Sequence, residues 1–345
     1  MRSRGVLSNA VLSPKGSPST IVPSKFAGHA EGHANSGLDH SEHMFDDVVV
    51  HGHHCQGKGR VVVDAPARLQ LAIAATRYGG GASRLTTRVR RDGPMAYEQV
   101  FDGLTSVQVE QVEATAERLT DQEVVAVLLP DDGYPQLLAT SRNAPPALFI
   151  KGPRQVLSQP GVGTCGSRRA TEESLRAARA CSEVVSSRGF NLVSGYARGV
   201  DMVTHTGALA SGGTTTIVLA EGIERFRIRR GEFAEGWDPS RCAVVSQFSP
   251  TLPWSAGAAM ARNAVISGLS RALLVVEAGE TGGTLAAGLH ALERGQPVLV
   301  LQLDSAPAGN QMLVNKGATP VRSREELDRL LADLPSNGNT QLTLI

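Results

Sequence analysis

Val162-Gly163-Thr164-Cys165-Gly166-Ser167-Arg168-Arg169, then a helical run over residues 171–188, then Asn191-Leu192-Val193-Ser194-Gly195, reads as one strand, helix and strand unit. The first strand is short, apolar and stopped by a glycine. The helix has Thr171 as its N-cap, Glu172 and Glu173 in its positive first turn, and Gly189 just past its end. The same alternation continues downstream, with further strands predicted at 214–219, 243–245, 272–276 and 297–301 and helices filling the gaps. Five successive crossovers do not suit an all-β or a bundle fold. They predict an α/β, doubly wound, mostly parallel Rossmann-like sheet.

Upstream of this core, residues 124–129 form an apolar strand-like run that ends in the turn Pro130-Asp131-Asp132-Gly133-Tyr134-Pro135. Before it, Leu69, Leu71, Ile73 and Ala74, and later Val109, Val112, Ala116 and Leu119, recur at helical spacing around Gly79-Gly80-Gly81. The predicted organisation is a small helical domain over 61–123, an extended Rossmann-like domain over 124–335 and a short tail over 336–345. Residues 1–60 are rich in Ser, Pro, Gly and His without a sustained period, which predicts a disordered tail. Seven of the nine histidines fall there (His29, His33, His40, His43, His51, His53 and His54). A metal site at His51, His53, His54 and Cys55 is the competing reading, but regular ligand spacing is missing.

Apolar residues make up 41% of the 345 and aromatics only 4%, enough for a sizeable core packed mainly by Ala, Val and Leu. A net charge of +1 supplies no global attraction for a polyanion, so any nucleic-acid site has to be a local concentration of arginine. Cys55, Cys165, Cys181 and Cys242 lack CxxC spacing, which argues against both a zinc site and a disulfide framework. No apolar run reaches membrane-span length and the start lacks a signal-peptide core, so a cytoplasmic protein is expected.

Ligands of an open parallel sheet bind beyond the carboxyl ends of its strands, and every distinctive motif lies at that edge. Gly166-Ser167-Arg168-Arg169 suits a phosphate, with backbone N–H groups and an arginine fork, and equally suits an ordinary βα turn with solvated arginines. Ser194-Gly195-Tyr196-Ala197-Arg198-Gly199-Val200-Asp201 places Asp201 and His205 on one helical face. An acid–base pair is one reading. A carboxylate loop clamp with a hydrogen-bonded histidine is favoured, because no nucleophile or metal partner accompanies them. Arg262-Asn263 is expected to open a helix before Ile266-Ser267-Gly268-Leu269-Ser270, and Gly282-Gly283-Thr284 forms a second glycine-rich turn at a helix start. No G-x-x-x-x-G-K-[ST] occurs, which excludes a P-loop ATPase.

Taken in order, Gly166-Ser167-Arg168, the stretch from Ser194 through His205 into Gly207-Ala208-Leu209, Arg262-Asn263 with Ile266 to Ser270, Val276-Glu277-Ala278 with Gly282-Gly283-Thr284-Leu285, and Gly309-Asn310 with Gly317-Ala318 resemble the signature segments of the DprA/Smf DNA-processing family. Tyr134-Pro135, Pro145-Pro146, Leu148 and Lys151-Gly152 are similar to its entry segment. The resemblance implies a dimeric, non-enzymatic binder of single-stranded DNA, without cofactor or metal, that protects incoming DNA. It also implies help in loading a RecA-type recombinase during natural transformation and homologous recombination. It places the DNA site on Gly166, Ser167, Arg168, Ser194, Gly195, Arg262, Asn263, Gly282 and Gly283.

Some positions depart from the family pattern. An aromatic residue before Arg-Asn and a second arginine after it are replaced by Ala258, Ala259, Met260 and Ala264, and Gln247 stands where a glutamate is common. An insertion carrying Arg225, Arg227, Arg229 and Arg230 either replaces lost phosphate contacts or is a solvated loop offset by its own acids. The competing enzymatic reading is a lysine-decarboxylase-like phosphoribohydrolase with a Pro-Gly-Gly-x-Gly-Thr-x-x-Glu motif. Here Leu285-Ala286-Ala287-Gly288 offers no glutamate at the catalytic place. A relative of the same fold that senses a nucleotide or a DNA end, in a mobile-element or defence setting, is a third reading.

Overall fold

The computed structural model describes residues 64–304 and 307–334. The histidine tract, the remainder of 1–60 and the tail 336–345 lie outside the described residues. Four helices come first: α1 (Ala65–Tyr78), α2 (Ala82–Asp92), α3 (Met95–Asp102) and α4 (Ser106–Asp121). Asp64 starts α1 by accepting the Ala67 N–H, and Thr105 with Gln108 forms a capping box at the start of α4. The stripe Leu69, Ala72 and Ile73 of α1 joins Val112, Ala116 and Leu119 of α4 in one hydrophobic cluster, which also takes in Leu148 and Phe149 of the sheet.

The remaining elements are β1 (Val124–Leu128), α5 (Gln136–Ala139), β2 (Ala147–Lys151), β3 (Gly161–Cys165), α6 (Glu172–Ser187), β4 (Asn191–Ser194), α7 (Val200–Ala210), β5 (Thr215–Val218), α8 (Glu232–Glu235), β6 (Cys242–Ser246), α9 (Ala256–Gly268), β7 (Ala272–Val275), α10 (Gly283–Glu293), β8 (Val298–Leu301), α11 (Ala308–Asn315), β9 (Thr319–Val321) and α12 (Arg324–Ala332). Among the described residues the nine strands form one sheet in the order β1-β2-β6-β5-β4-β3-β7-β8-β9. β2 pairs antiparallel with β1 and β6, and the other pairings are parallel. The predicted mostly parallel, doubly wound sheet is therefore the architecture found. Two strands went unpredicted, β2 and the edge strand β9, whose Pro320 suits only an edge.

Alternate residues of each central strand serve opposite cores. Leu274, Leu299 and Leu301 meet Ala178, Val185 and Leu331 of α6 and α12 on one face. Leu273, Val275, Val298 and Val300 join Val265, Leu285 and Leu313 of α9, α10 and α11 on the other. The chain leaves β3 towards β4, whereas β7, on the other flank of β3, leads away to β8 and β9. The loops after β3 and β7 therefore diverge and leave a crevice at the carboxyl ends of the strands.

Candidate nucleic-acid interface

That crevice holds a cavity of about 590 Å³. Gly166, Ser167, Arg168 and Arg169 from the loop after β3 and Thr281 to Thr284 at the start of α10 form its polar side, while Trp254, Ala256, Ala259 and Met260 at the start of α9 form an apolar one. Gly282 is the N-cap of α10 with φ of 106°, a conformation that a side chain makes costly. No side chain caps this helix, and Gly282, Gly283 and Thr284 all line the cavity, so its first N–H groups are available to an anion.

Helix α6 does not serve the same purpose, contrary to the expectation from sequence. Its Thr171 N–H already donates to the buried Glu277 carboxylate (3.0 Å), and the Thr171 hydroxyl accepts from Ser174 N–H (3.1 Å). An internal carboxylate thus already takes the Thr171 N–H at the start of α6, whereas no side chain caps α10. From the loop after β3, the arginines themselves reach the groove. Both Arg168 and Arg169 are exposed and both line the cavity. The Arg168 guanidinium carbon lies 5.5 Å from the centre of the Trp254 ring.

Arg262 does not open a helix: α9 begins at Ala256, capped by Ser255, and Arg262 stands well inside it. Only 7% exposed, it lines the cavity from below. Its Nη1 donates to the Val218 carbonyl at 2.9 Å, and its Nε has no hydrogen-bond partner among the described residues. Burial pulls the guanidinium pKa down and the nearby Asp201 carboxylate pulls it up. A buried cation and an uncapped helix N-terminus thus line the same cavity, two features that each suit an anion. Asn263 is half-buried beside it and also lines the cavity. Ala264 lines a neighbouring cavity instead, with Met260 and Ala287, so the missing second arginine alters that cavity before it alters the groove.

Ser194 and Gly195 stand behind the cavity wall rather than in it. The Ser194 hydroxyl is fully buried and donates to the Thr164 carbonyl at 2.8 Å, tying the end of β4 to β3. Gly195 makes room for the arginine: a Cβ there would lie 1.6 Å from Arg262 Nη1. Gly195→Ala is therefore expected to displace the guanidinium and to lower stability by about 1–3 kcal/mol, as overpacking does. Urea denaturation of the variant measures this, and an unchanged midpoint would show that the guanidinium has free space to move.

Asp201 and His205 share a helix face but not a hydrogen bond. The Asp201 carboxylate accepts the Ala197 N–H at 3.2 Å, as a loop clamp; burial raises its pKa, against the opposing pull of Arg262. His205 is fully buried, with Nε2 2.6 Å from the Gly195 carbonyl and Nδ1 2.6 Å from the Thr215 hydroxyl. A carbonyl only accepts, so Nε2 carries the proton of a neutral ring. Burial pushes the His205 pKa down to about 4.

The unfolded chain then takes up a proton near pH 6.5 that the folded chain refuses until about pH 4. Between those values acidification should remove about 3 kcal/mol of stability on account of His205, with none of this contribution lost above the window. Asp201 works in the opposite sense, since its raised pKa makes the folded state the better proton acceptor as pH falls. Denaturation at a series of pH values, compared with His205→Gln, isolates the histidine: the variant should show a flatter pH dependence across the window. Parallel curves would contradict the assignment.

The arginine-rich insertion is an ordered cap. Phe226 and Phe233 pack at 5.4 and 5.8 Å from the Tyr196 ring, and Trp237 lies against both phenylalanines. The Tyr196 hydroxyl donates to the Arg227 carbonyl and accepts from Arg229 N–H, while Arg225 Nε donates to the Thr251 carbonyl. Arg229 lies over the Tyr196 ring at 4.5 Å. This cluster had a legible signal in the recurrence of Phe226, Phe233 and Trp237. Trp254 drew no notice because a lone tryptophan between prolines and serines shows no period. No helix among the described residues is long and apolar enough to cross a membrane.

Residues 125–332 match the family described as DNA recombination-mediator protein A. Protein Smf of Escherichia coli K12 is 36% identical over 228 residues, covering 61% of this chain and 60% of that protein. DNA processing protein DprA of Streptococcus pneumoniae R6 is 30% identical over 200 residues, covering 57% and 71%. The chain thus spans about 60% of the length of the Escherichia coli relative. The X-ray structure of the Streptococcus pneumoniae protein superposes with a TM-score of 0.62 at 25% identity, covering 78% of this chain and 99% of that one. DprA of Helicobacter pylori superposes with a TM-score of 0.54 at 21% identity, covering 61% and 97%, a likeness of fold. Fold, ordered motifs and family match agree: this chain belongs to the DNA recombination-mediator protein A family, the DprA/Smf proteins.

Proposed function

We propose that the chain is a non-enzymatic binder of single-stranded DNA that protects an incoming strand and passes it, as a homodimer, to a RecA-type recombinase. Natural transformation and homologous recombination in the cytoplasm are the proposed setting. The observation that carries the reading is one cavity lined by the buried Arg262, the uncapped α10 N-terminus and the exposed Arg168 and Arg169. One buried cation fixes a phosphate, and two exposed cations extend the path along a backbone. Gly166, Ser167, Asn263, Gly282 and Gly283 complete the lining, with Ser194 and Gly195 supporting it from behind. The Helicobacter pylori relative is itself described by its single-stranded DNA binding mode.

Hydrolysis is the less suitable reading of the same groove. Asp201 is the one carboxylate among the described residues that line it, and it is buried and engaged by Ala197 N–H. Equilibrium binding of the pure chain to single-stranded DNA, duplex DNA and nucleoside monophosphates tests the proposal. Preference for the single strand with intact nucleotides supports it. Nucleotide turnover that is lost with Asp201→Asn would replace it with the hydrolase.

A further inference from the structure

Trp254 is 51% exposed and Met260 49%, two of the largest apolar side chains that the described surface leaves in water. Both line the groove, together with Ala256 and Ala259. Ala256, Ala259 and Met260 recur at helical spacing on one face of α9, so the wall between the two large side chains is low and apolar. The same groove is lined by Arg168, Arg169 and the open N-terminus of α10. The groove lining is therefore mixed, with arginines and a helix N-terminus suited to phosphates beside apolar side chains suited to bases.

The indole is held in place rather than left over at the surface. Trp254 immediately precedes Ser255, whose hydroxyl accepts the Ala258 N–H at 3.0 Å to start α9. The segment before it is bonded to the insertion, through Gly222 N–H to the Leu252 carbonyl (2.9 Å) and Glu224 N–H to the Pro250 carbonyl (3.1 Å). Arg168 sits over one side of the ring at 5.5 Å. An exposed, positioned indole beside a phosphate-binding arginine matches the chemistry of a nucleobase platform.

We propose that Trp254 is the base-stacking residue of the groove and sets its preference for unpaired strands. This rests on the single-stranded DNA reading above. It also gives a physical account of Ala259, where the family pattern carries an aromatic side chain near the arginine: the ring comes instead from the loop before the helix. Bases locked in a duplex have no free face to offer Trp254, whereas any unpaired base does, which yields strand selectivity without sequence selectivity.

The test uses the full chain, an oligothymidylate and an abasic strand of the same length, with wild type, Trp254→Ala and Trp254→Phe. Trp254→Ala should weaken binding to the oligothymidylate by about 5- to 150-fold, the range that one stacked base is worth. Its affinity for the abasic strand and its salt slope should stay at the wild-type values, and Trp254→Phe should recover most of the loss. Equal binding of both strands by wild type and Trp254→Ala overturns the assignment while leaving the single-strand reading intact. Equal losses on both strands, with a reduced salt slope, overturn it too, because Trp254 would then act by positioning Arg168. Failure of wild type to bind either strand removes this inference and the single-strand reading together.

Discussion

Arg262→Ala is expected to be the most damaging single substitution in the groove, because it removes a buried charge on which two other buried groups depend. The Val218 carbonyl loses its donor, and Asp201 loses the cation that opposes the burial-driven rise of its pKa. Leaving a buried carbonyl without its charged donor costs about 1–3 kcal/mol of stability. The lost phosphate contact costs a further 1.5–3 kcal/mol or so of binding, on the order of tenfold to a hundredfold in affinity. The two effects can be separated. Asp201→Asn with Arg262→Met removes both charges and should regain most of the stability without regaining DNA affinity. If the double variant bound DNA like wild type, Arg262 would be a purely structural cation and the anion site would have to be sought elsewhere.

The fold was legible because its pattern is redundant. Residues 161–165, 191–194, 215–218, 242–246, 272–275 and 298–301 are each short, apolar and followed by a helix, and any one could be misread without disturbing the rest. β2 escaped because Pro145-Pro146 and Lys151-Gly152 frame a run too short to show a period, and its strand character comes from pairing with β1 and β6. β9 escaped for a similar reason: Pro320 argues against a strand except at an edge, and edge position is a property of the assembled sheet.

Much of the cavity lining was legible in the sequence, and its depth was not. Gly166, Ser167, Arg168, Arg262, Asn263, Gly282 and Gly283 do converge on one cavity. What spacing could not convey is that Arg262 sits inside α9 rather than at its start, or that Gly195 is a glycine so that a guanidinium can lie against it. The capping of α6 by Glu277 was equally hidden, since the two residues are 106 positions apart in sequence. These are tertiary facts, set by packing between residues far apart in sequence.

The second large effect is expected from Arg168→Ala combined with Arg169→Ala. Both side chains are exposed at the groove, so their loss should leave the fold unchanged. Each phosphate contact on a single strand contributes about 0.7 to the slope of log affinity against log salt, and the pair therefore about 1.4. At about 1.5–3 kcal/mol per charge-assisted contact, the double variant should bind on the order of a hundredfold or more weakly. Lysine at position 168 should restore only part of this, since an ammonium does not reproduce the planar fork. A salt titration of single-stranded DNA affinity for wild type, the Arg168 and Arg169 double variant, and a variant lacking Arg229 and Arg230 tests the groove most directly. The account predicts a lower slope and weaker binding for the groove variant and smaller changes for the insertion variant. Unchanged affinity and slope in the groove variant, with binding abolished when Arg229 and Arg230 are removed, would contradict it and place the DNA over the insertion.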